Sequence, residues 1–417
     1  MHVHALGGAW IHHPFWRSSF LLDDPEDLRL LRTSSVPEVW IDTSKGLDVH
    51  QGKVTAHDAP EQAEPPVLEV FTPHGTDATP LGLEVAHARA LCAQARDAVM
   101  EMFSQARMGQ TVNMLKNSSL VNEITESVVR NPDALISVAR LKTADNYTYM
   151  HSVAVSALMV ALAQQLGFDE AGVHQAAMAG LLHDIGKAHS DLEILNKPGP
   201  LTDLEFAHMK HHPVAGYELL KHSVEDDLVL DACRHHHERL DGTGYPDRLQ
   251  GDQISQLARM AAICDVYDAI TSDRPYKKGW SPAVALQRMA QWRDTHLDAR
   301  IFGAFVKTLG VYPIGSLVRL SNGELAVVYA VHKDSLLTPK VVRFYDTSRH
   351  CLTAPPERTD LSRAPHLTIV QREDPQQWSF NNLESLWQAA AHADAQAEML
   401  AAAAASATAQ QTACAAA

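Results

Sequence analysis

A chain of 417 residues with a formal net charge of −15 can bury a substantial core without metal or disulfide staples, and its acidity argues against a surface built to wrap DNA or RNA. The five cysteines, Cys92, Cys233, Cys264, Cys351 and Cys414, are scattered with no C-x-x-C pair, which speaks against a disulfide scaffold or thiolate zinc knuckle and fits a reducing cytoplasm. The start lacks a basic stretch leading into an apolar run, and the apolar stretches Val153 to Ala163 and Ala176 to Leu182 fall short of the roughly 20 residues that span a bilayer, so neither export nor membrane insertion is expected.

Residues 1 to about 54 alternate apolar groups with turns. Ala9-Trp10-Ile11, Phe20-Leu21-Leu22 and Val39-Trp40-Ile41 predict short strands, and Asp24 before Pro25 predicts a short helix, together a small α/β or mixed accessory domain. The histidines here, such as His12 and His13, show no ligand pattern. Residues 55–79, rich in Pro, Glu, Asp and Thr, read as a linker. Apolar residues at helical spacing predict helices over Leu83 to Phe103, Thr111 to Val129 and Leu135 to Leu141, a connector spanning 80–142. The next helix, Tyr147 to Leu166, stops at Gly167, and Asp169 caps the one that runs into His183-Asp184. Thr202 and Glu205 have the spacing of a capping box, and helices follow over Val214 to His222, Val229 to His237 and Ile254 to Ile270. The chain is therefore mainly α, with its largest domain over 143–310. Beyond Tyr312-Pro313 the period falls to two. Ser316 to Leu320, the turn Ser321-Asn322-Gly323 and Leu325 to Ala330 predict a hairpin, with a third strand at Lys340 to Tyr345, giving a short β appendage over 311–347. Residues 348–417 are mixed and then alanine-rich; helix is expected early in the alanine-rich part, with too little large apolar surface to demand docking.

Imidazoles and carboxylates concentrate in the helical region. His183-Asp184 closes an apolar segment and Asp265 lies inside another, where an unpartnered carboxylate is costly. A divalent cation supplies a partner, and a pair of ions is a standard device for splitting phosphate esters. The expected arrangement sets His151, His183, Asp184 and Asp265 around one ion, with Asp184 bridging to a second held by His212, His236 and His237. The plain alternative is that the histidines are polar helix ends and Asp184 is paired with Lys187.

The ordered set His183-Asp184-Ile185-Gly186-Lys187, Ile194 to Gly199, His212-Pro213, His236-His237-Glu238, Asp241-Gly242-Thr243-Gly244-Tyr245-Pro246, Asp265 to Ala269 and Asp273 to Lys277 resembles the HD-GYP group of the HD phosphohydrolases. That resemblance covers 143–310 and implies an HD-type helical bundle. It also implies hydrolysis of 3′,5′-cyclic di-GMP to linear pGpG, and then potentially GMP, by a bridging hydroxide attacking phosphorus. The implied cofactors are two divalent ions, iron or manganese. A third ion in some relatives uses a glutamate where this chain has Tyr147, which disfavours that site, while Asp145 leaves it open. Residues 2 to about 50 resemble the accessory domain DUF3391, with its opening strand expected to be shortened or absent.

On the substrate side, Lys187 is the candidate for electrostatic stabilisation or proton delivery, and the resemblance implies phosphate contacts for Arg274 and Lys277. Asp145 is placed beside them. Gly244 allows close backbone approach, Tyr245 stacks on a base or braces its loop, and Asp268 receives a guanine donor or orients a ligand. A homodimer through the helices from 83 to 130 is compatible with the pattern, as is burial of their apolar faces within the subunit, and a signalling-protein partner is open as well. The alternatives are a catalytically weak or inactive cyclic-dinucleotide sensor and, further off, a nucleotide phosphomonoesterase.

Overall fold

The computed structural model describes residues 2–6, 20–21, 29, 32, 39–41, 79–140, 147–195, 197, 199, 201–273, 279–332, 335–378, 380 and 382–415. The chain divides into two compact units, Met1–Val70 and Phe71–Ala417.

In the first unit, β1 (His2–Leu6), β2 (Phe20–Leu21) and β3 (Val39–Ile41) form an antiparallel sheet in the order β2-β1-β3. Val3 faces both Phe20 and Ile41 across the ladder. An opening strand is thus present at His2–Leu6 rather than absent. The strand expected at Ala9 to Ile11 lies outside the described residues, as do residues 55–78 of the expected linker.

The second unit opens with α1 (Leu81–Arg107), α2 (Met114–Arg130) and α3 (Pro132–Arg140), followed by α4 (Tyr147–Gln165) and α5 (Glu170–Leu182). Val153 to Ala163 of α4 are buried without a break, so this helix has no wet face and forms the axis of the bundle. A Cβ on Gly180 of α5 would lie 2.7 Å from the Ser156 Cα of α4; glycine lets these two helices touch along their backbones. After a 3-10 turn at Ile185–His189 come α6 (Leu192–Leu195), α7 (Asp203–Met209), α8 (His212–Leu220), α9 (Asp227–His235), α10 (Gln256–Thr271), α11 (Pro282–Met289) and α12 (Ala299–Leu309). Asp169 accepts a hydrogen bond from Gly172 N–H at the start of α5, and Thr202 with Glu205 closes a capping box on α7. The apolar face of α1 packs inside the subunit against α3, α4 and the C-terminal helix.

The appendage is larger than the sequence reading allowed. β4 (Leu317–Leu320), β5 (Glu324–Ala330), β6 (Lys340–Asp346), β7 (Cys351–Asp360) and β8 (Ile369–Arg372) form an antiparallel sheet ordered β7-β6-β5-β4-β8. A short turn of helix, α13 (Pro375–Trp378), leads to α14 (Leu383–Ala415). The expectation that this tail does not dock is corrected. Trp387, Ala390, Ala391 and Ala395 are buried against α1 and the sheet, and Lys340 Nζ lies 2.7 Å from Asp394. One tryptophan supplies the large apolar group, and alanines let the helix lie close. Among the described residues no helix is long and apolar enough to cross a membrane.

Candidate metal centre

Five segments converge, α4 among them. His151 stands one turn into α4. His183 caps α5, and Asp184 begins the turn that follows. His212 opens α8, His236 and His237 follow the end of α9, and Asp265 and Asp268 lie within α10. A Cβ on Gly186 would fall 1.9 Å from the His212 carbonyl oxygen and 2.4 Å from Gly216 N. No side chain fits there, and it is this contact that brings Asp184 beside His212.

Asp184 lies between two groups of imidazoles. Its Oδ2 is 3.3 Å from His183 Nε2 and 3.5 Å from His151 Nε2; its Oδ1 is 3.2 Å from His212 Nε2 and 3.9 Å from His236 Nε2. Asp265 Oδ1 is 2.9 Å from His151 Nε2, and its Oδ2 is 3.8 Å from His237 Nδ1. Ligand atoms of His151, His183 and Asp265 lie within 4.8 Å of one another, as do those of His212, His236 and His237 and those of His183, Asp184 and His236.

The hydrogen bonds fix which nitrogen faces inward. Nδ1 of His183 donates to the Gly180 carbonyl, Nδ1 of His212 to Met209 and Nδ1 of His236 to Cys233, each three residues back. A carbonyl can only accept, so in the neutral ring Nε2 is the nitrogen that carries the lone pair. His212 and His236 Nε2 nevertheless face each other at 3.2 Å, and His183 and His151 Nε2 at 3.3 Å. Asp184 Oδ1 is buried and makes no directed hydrogen bond. Opposed lone pairs around an unsatisfied carboxylate oxygen are the donor set of a divalent cation, and the residues fit such a site.

Charge state agrees with that fit. Burial alone would raise the Asp184 carboxyl, but the Lys187 ammonium and the His183 and His212 rings hold it well below the usual carboxylate range. Asp265 is likewise held low, because His151, His237 and His183 outweigh burial. Burial pushes the His212 and His236 imidazoles down, keeping them neutral. His151 is shifted up: burial opposes its charge, but Asp265 and Asp268 prevail, so a cation held at this ring would have to displace a proton.

Around these groups the structure assigns other contacts. The Lys187 ammonium pairs with Asp184 Oδ2 from the 3-10 turn that follows the end of α5 at Leu182. Asp268, expected beside substrate, is buried with its Oδ2 2.6 Å from His151 Nδ1. The close approach allowed by Gly244 is to the chain itself, since a Cβ there would meet Glu238 Cα and Arg239 N at 2.5 Å. Tyr245 stacks on His237, with ring centroids 4.8 Å apart and planes at 29°. Tyr147 lies parallel to His151 at 5.7 Å. Asp145, Arg274 and Lys277 lie outside the described residues. Glu238, given no role by the sequence reading, is buried and accepts from Asp247 N–H at 2.7 Å, anchoring the end of the loop that carries Tyr245. Its place directly after the histidine pair was the signal for it.

Comparison with known proteins places this centre in a lineage. The HD domain matches residues 105–301, and the domain of unknown function DUF3391 matches residues 1–116. A cyclic di-GMP phosphodiesterase of Pseudomonas aeruginosa is 51% identical over 396 residues, 94% of each protein. A cyclic di-GMP phosphodiesterase response regulator of Xanthomonas campestris pv. campestris is 38% identical over 45% of this chain and 50% of its own. A 3′3′-cGAMP-specific phosphodiesterase of Vibrio cholerae is 35% identical over 40% of this chain and 39% of its own. With an end-to-end relative at that identity, and the His183-Asp184 and Asp241 to Pro246 motifs gathered at one centre, the chain belongs to the HD-domain family, in its HD-GYP group, with a DUF3391 domain at its front.

Proposed function

We propose that this chain is a metal-dependent phosphodiesterase that hydrolyses 3′,5′-cyclic di-GMP to linear pGpG, with GMP as the product of a second cut. The observation that carries the reading is the placement of Asp184, one carboxylate oxygen toward each group of imidazoles. The relatives named for this activity support the choice of substrate.

The proposed ligands are His151, His183, Asp184 and Asp265 for one ion, and Asp184, His212, His236 and His237 for the other, with iron or manganese as the metal. When bound, two such ions lower the pKa of the attacking water and offset charge on the phosphoryl oxygens. The chain's own part is to hold the phosphate in line. Lys187, partly exposed beside Asp184, presents positive charge to the oxygens of phosphorus as the bond to the ribose 3′ oxygen breaks. Asp145, Arg274 and Lys277 are proposed for the substrate side. Among the described residues Cys233, Cys264 and Cys351 form no disulfide, which supports a cytoplasmic location.

The test is anaerobic purification and reconstitution with Mn(II) or Fe(II), followed by product analysis with cyclic di-GMP, pGpG, 3′3′-cGAMP and dNTPs offered separately. The expected result is pGpG from cyclic di-GMP, lost in Asp184→Ala. Tight binding of cyclic di-GMP by the metal-loaded protein with no product would replace the enzyme with a sensor.

A further inference from the structure

We infer that Lys210 is a substrate-binding residue that takes the second, uncut phosphate of the cyclic dinucleotide, its ammonium positioned by the rings of Phe206 and Tyr245. The inference rests on the phosphodiesterase reading above and assigns a contact within it.

Lys210 Nζ lies 4.6 Å from the centroid of the Phe206 ring and 5.4 Å from that of Tyr245. Tyr245 in turn stacks on His237, one of the clustered imidazoles, so the cation stands one ring away from the proposed metal centre. Its place in the chain, two residues before His212, ties it to the same helix start that delivers a proposed ligand. Lys187, Lys197 and Lys221 each stand beside a carboxylate, that of Asp184, Glu205 and Glu218 respectively. The Lys210 ammonium, exposed, pairs with no carboxylate among the described residues.

An unpaired cation at the mouth of an anion-processing site, on a chain of charge −15, has a use. Aromatic faces attract an ammonium without consuming its N–H donors, so the side chain is biased toward one position while its three donors stay available for phosphate oxygens. A cyclic dinucleotide has two phosphodiesters. When one sits at the metal centre, the other lies to its side, and a cation there favours this substrate over a simple diester.

The test compares Lys210→Met, which keeps the apolar stem and removes the charge, with Lys210→Arg, which keeps the charge. Each is assayed as Mn(II)-loaded full chain on cyclic di-GMP and on bis(p-nitrophenyl) phosphate, a diester with no second phosphate. The expected result is a KM for cyclic di-GMP raised about tenfold in K210M, with kcat within about twofold and near recovery in K210R, while kcat/KM on the simple diester is unchanged. Equal losses on both substrates, or on neither, overturn the assignment. If the parent protein binds cyclic di-GMP without cutting it, the enzyme reading falls and calorimetric binding decides: about tenfold weaker binding in K210M supports the contact, and unchanged binding overturns it. A parent that neither binds nor cuts cyclic di-GMP overturns both.

Discussion

Asp268 Oδ2 lies 2.6 Å from Nδ1 of His151, and the ring it holds presents Nε2 2.9 Å from Asp265 Oδ1. A carboxylate behind an imidazole fixes both its tautomer and its aim, and makes it a better electron donor. Asp268 thereby governs one proposed ligand without being a proposed ligand itself. Asp268→Asn is expected to reduce metal affinity by about 10–100-fold with little change in fold. Metal titration beside a far-ultraviolet circular dichroism spectrum checks it; full affinity in the variant would mean that His151 is aimed by something else.

Acid should destabilise the metal-stripped protein through its imidazoles. Burial holds His212 and His236 below the ordinary imidazole value of 6.5. Below that pH the unfolded chain takes up protons that the folded chain does not, so stability falls as acid is added. His151 and His235 are shifted upward, because neighbouring aspartates outweigh burial. Their contribution is complete below 6.5 and is lost only as pH rises above it, so they do not offset the acid effect. Asp184 and Asp265, held low, add a further loss only below the ordinary 3.8. The urea midpoint of chelator-treated protein is expected to drop between about pH 6.5 and about pH 5. A flat midpoint over that interval would contradict the neutral, buried state of these rings.

Gly186→Ala places a methyl group where the His212 carbonyl oxygen stands. Overpacking of this kind costs about 1–3 kcal/mol, and relief requires α8 to retreat with His212. Both the denaturation midpoint and the metal content per chain are expected to fall together. A variant with parental midpoint and full metal would show that the turn and α8 are not in the contact described.

The C-terminal helix should contribute to stability in spite of its composition. Trp387 is 1% exposed, and removing so large a buried ring typically costs about 3–5 kcal/mol. Trp387→Ala is therefore expected to lower the denaturant midpoint sharply, whereas Leu400→Ala, at an exposed position of the same helix, should leave it nearly unchanged. An unaltered midpoint in Trp387→Ala would mean that α14 is not docked.

Much of this was legible because the signals were local. The apolar run ending at His183-Asp184, the Asp169 cap and the Thr202–Glu205 capping box each depend on residues within one or two turns, and each element formed where the spacing placed it. The failures were of longer range. β7 carries Ala354-Pro355-Pro356-Glu357-Arg358, with no apolar alternation, and is a strand because its backbone completes the edge of β6. The docking of α14 depends on a cleft between α1 and the sheet that only the folded chain possesses. Asp268 resembled a substrate contact in sequence since its partner, His151, is 117 residues away. The Nδ1 bonds of the three backbone-held histidines connect to main-chain oxygens, to which residue identity offers no clue.

That last feature divides the centre into hereditary risks of different size. His183, His212 and His236 take their aim from main-chain oxygens, which no codon change can delete, so drift among the side chains nearby leaves those three rings pointing as they do. His151 takes its aim from an aspartate, and a single-base change to asparagine is enough to unseat it.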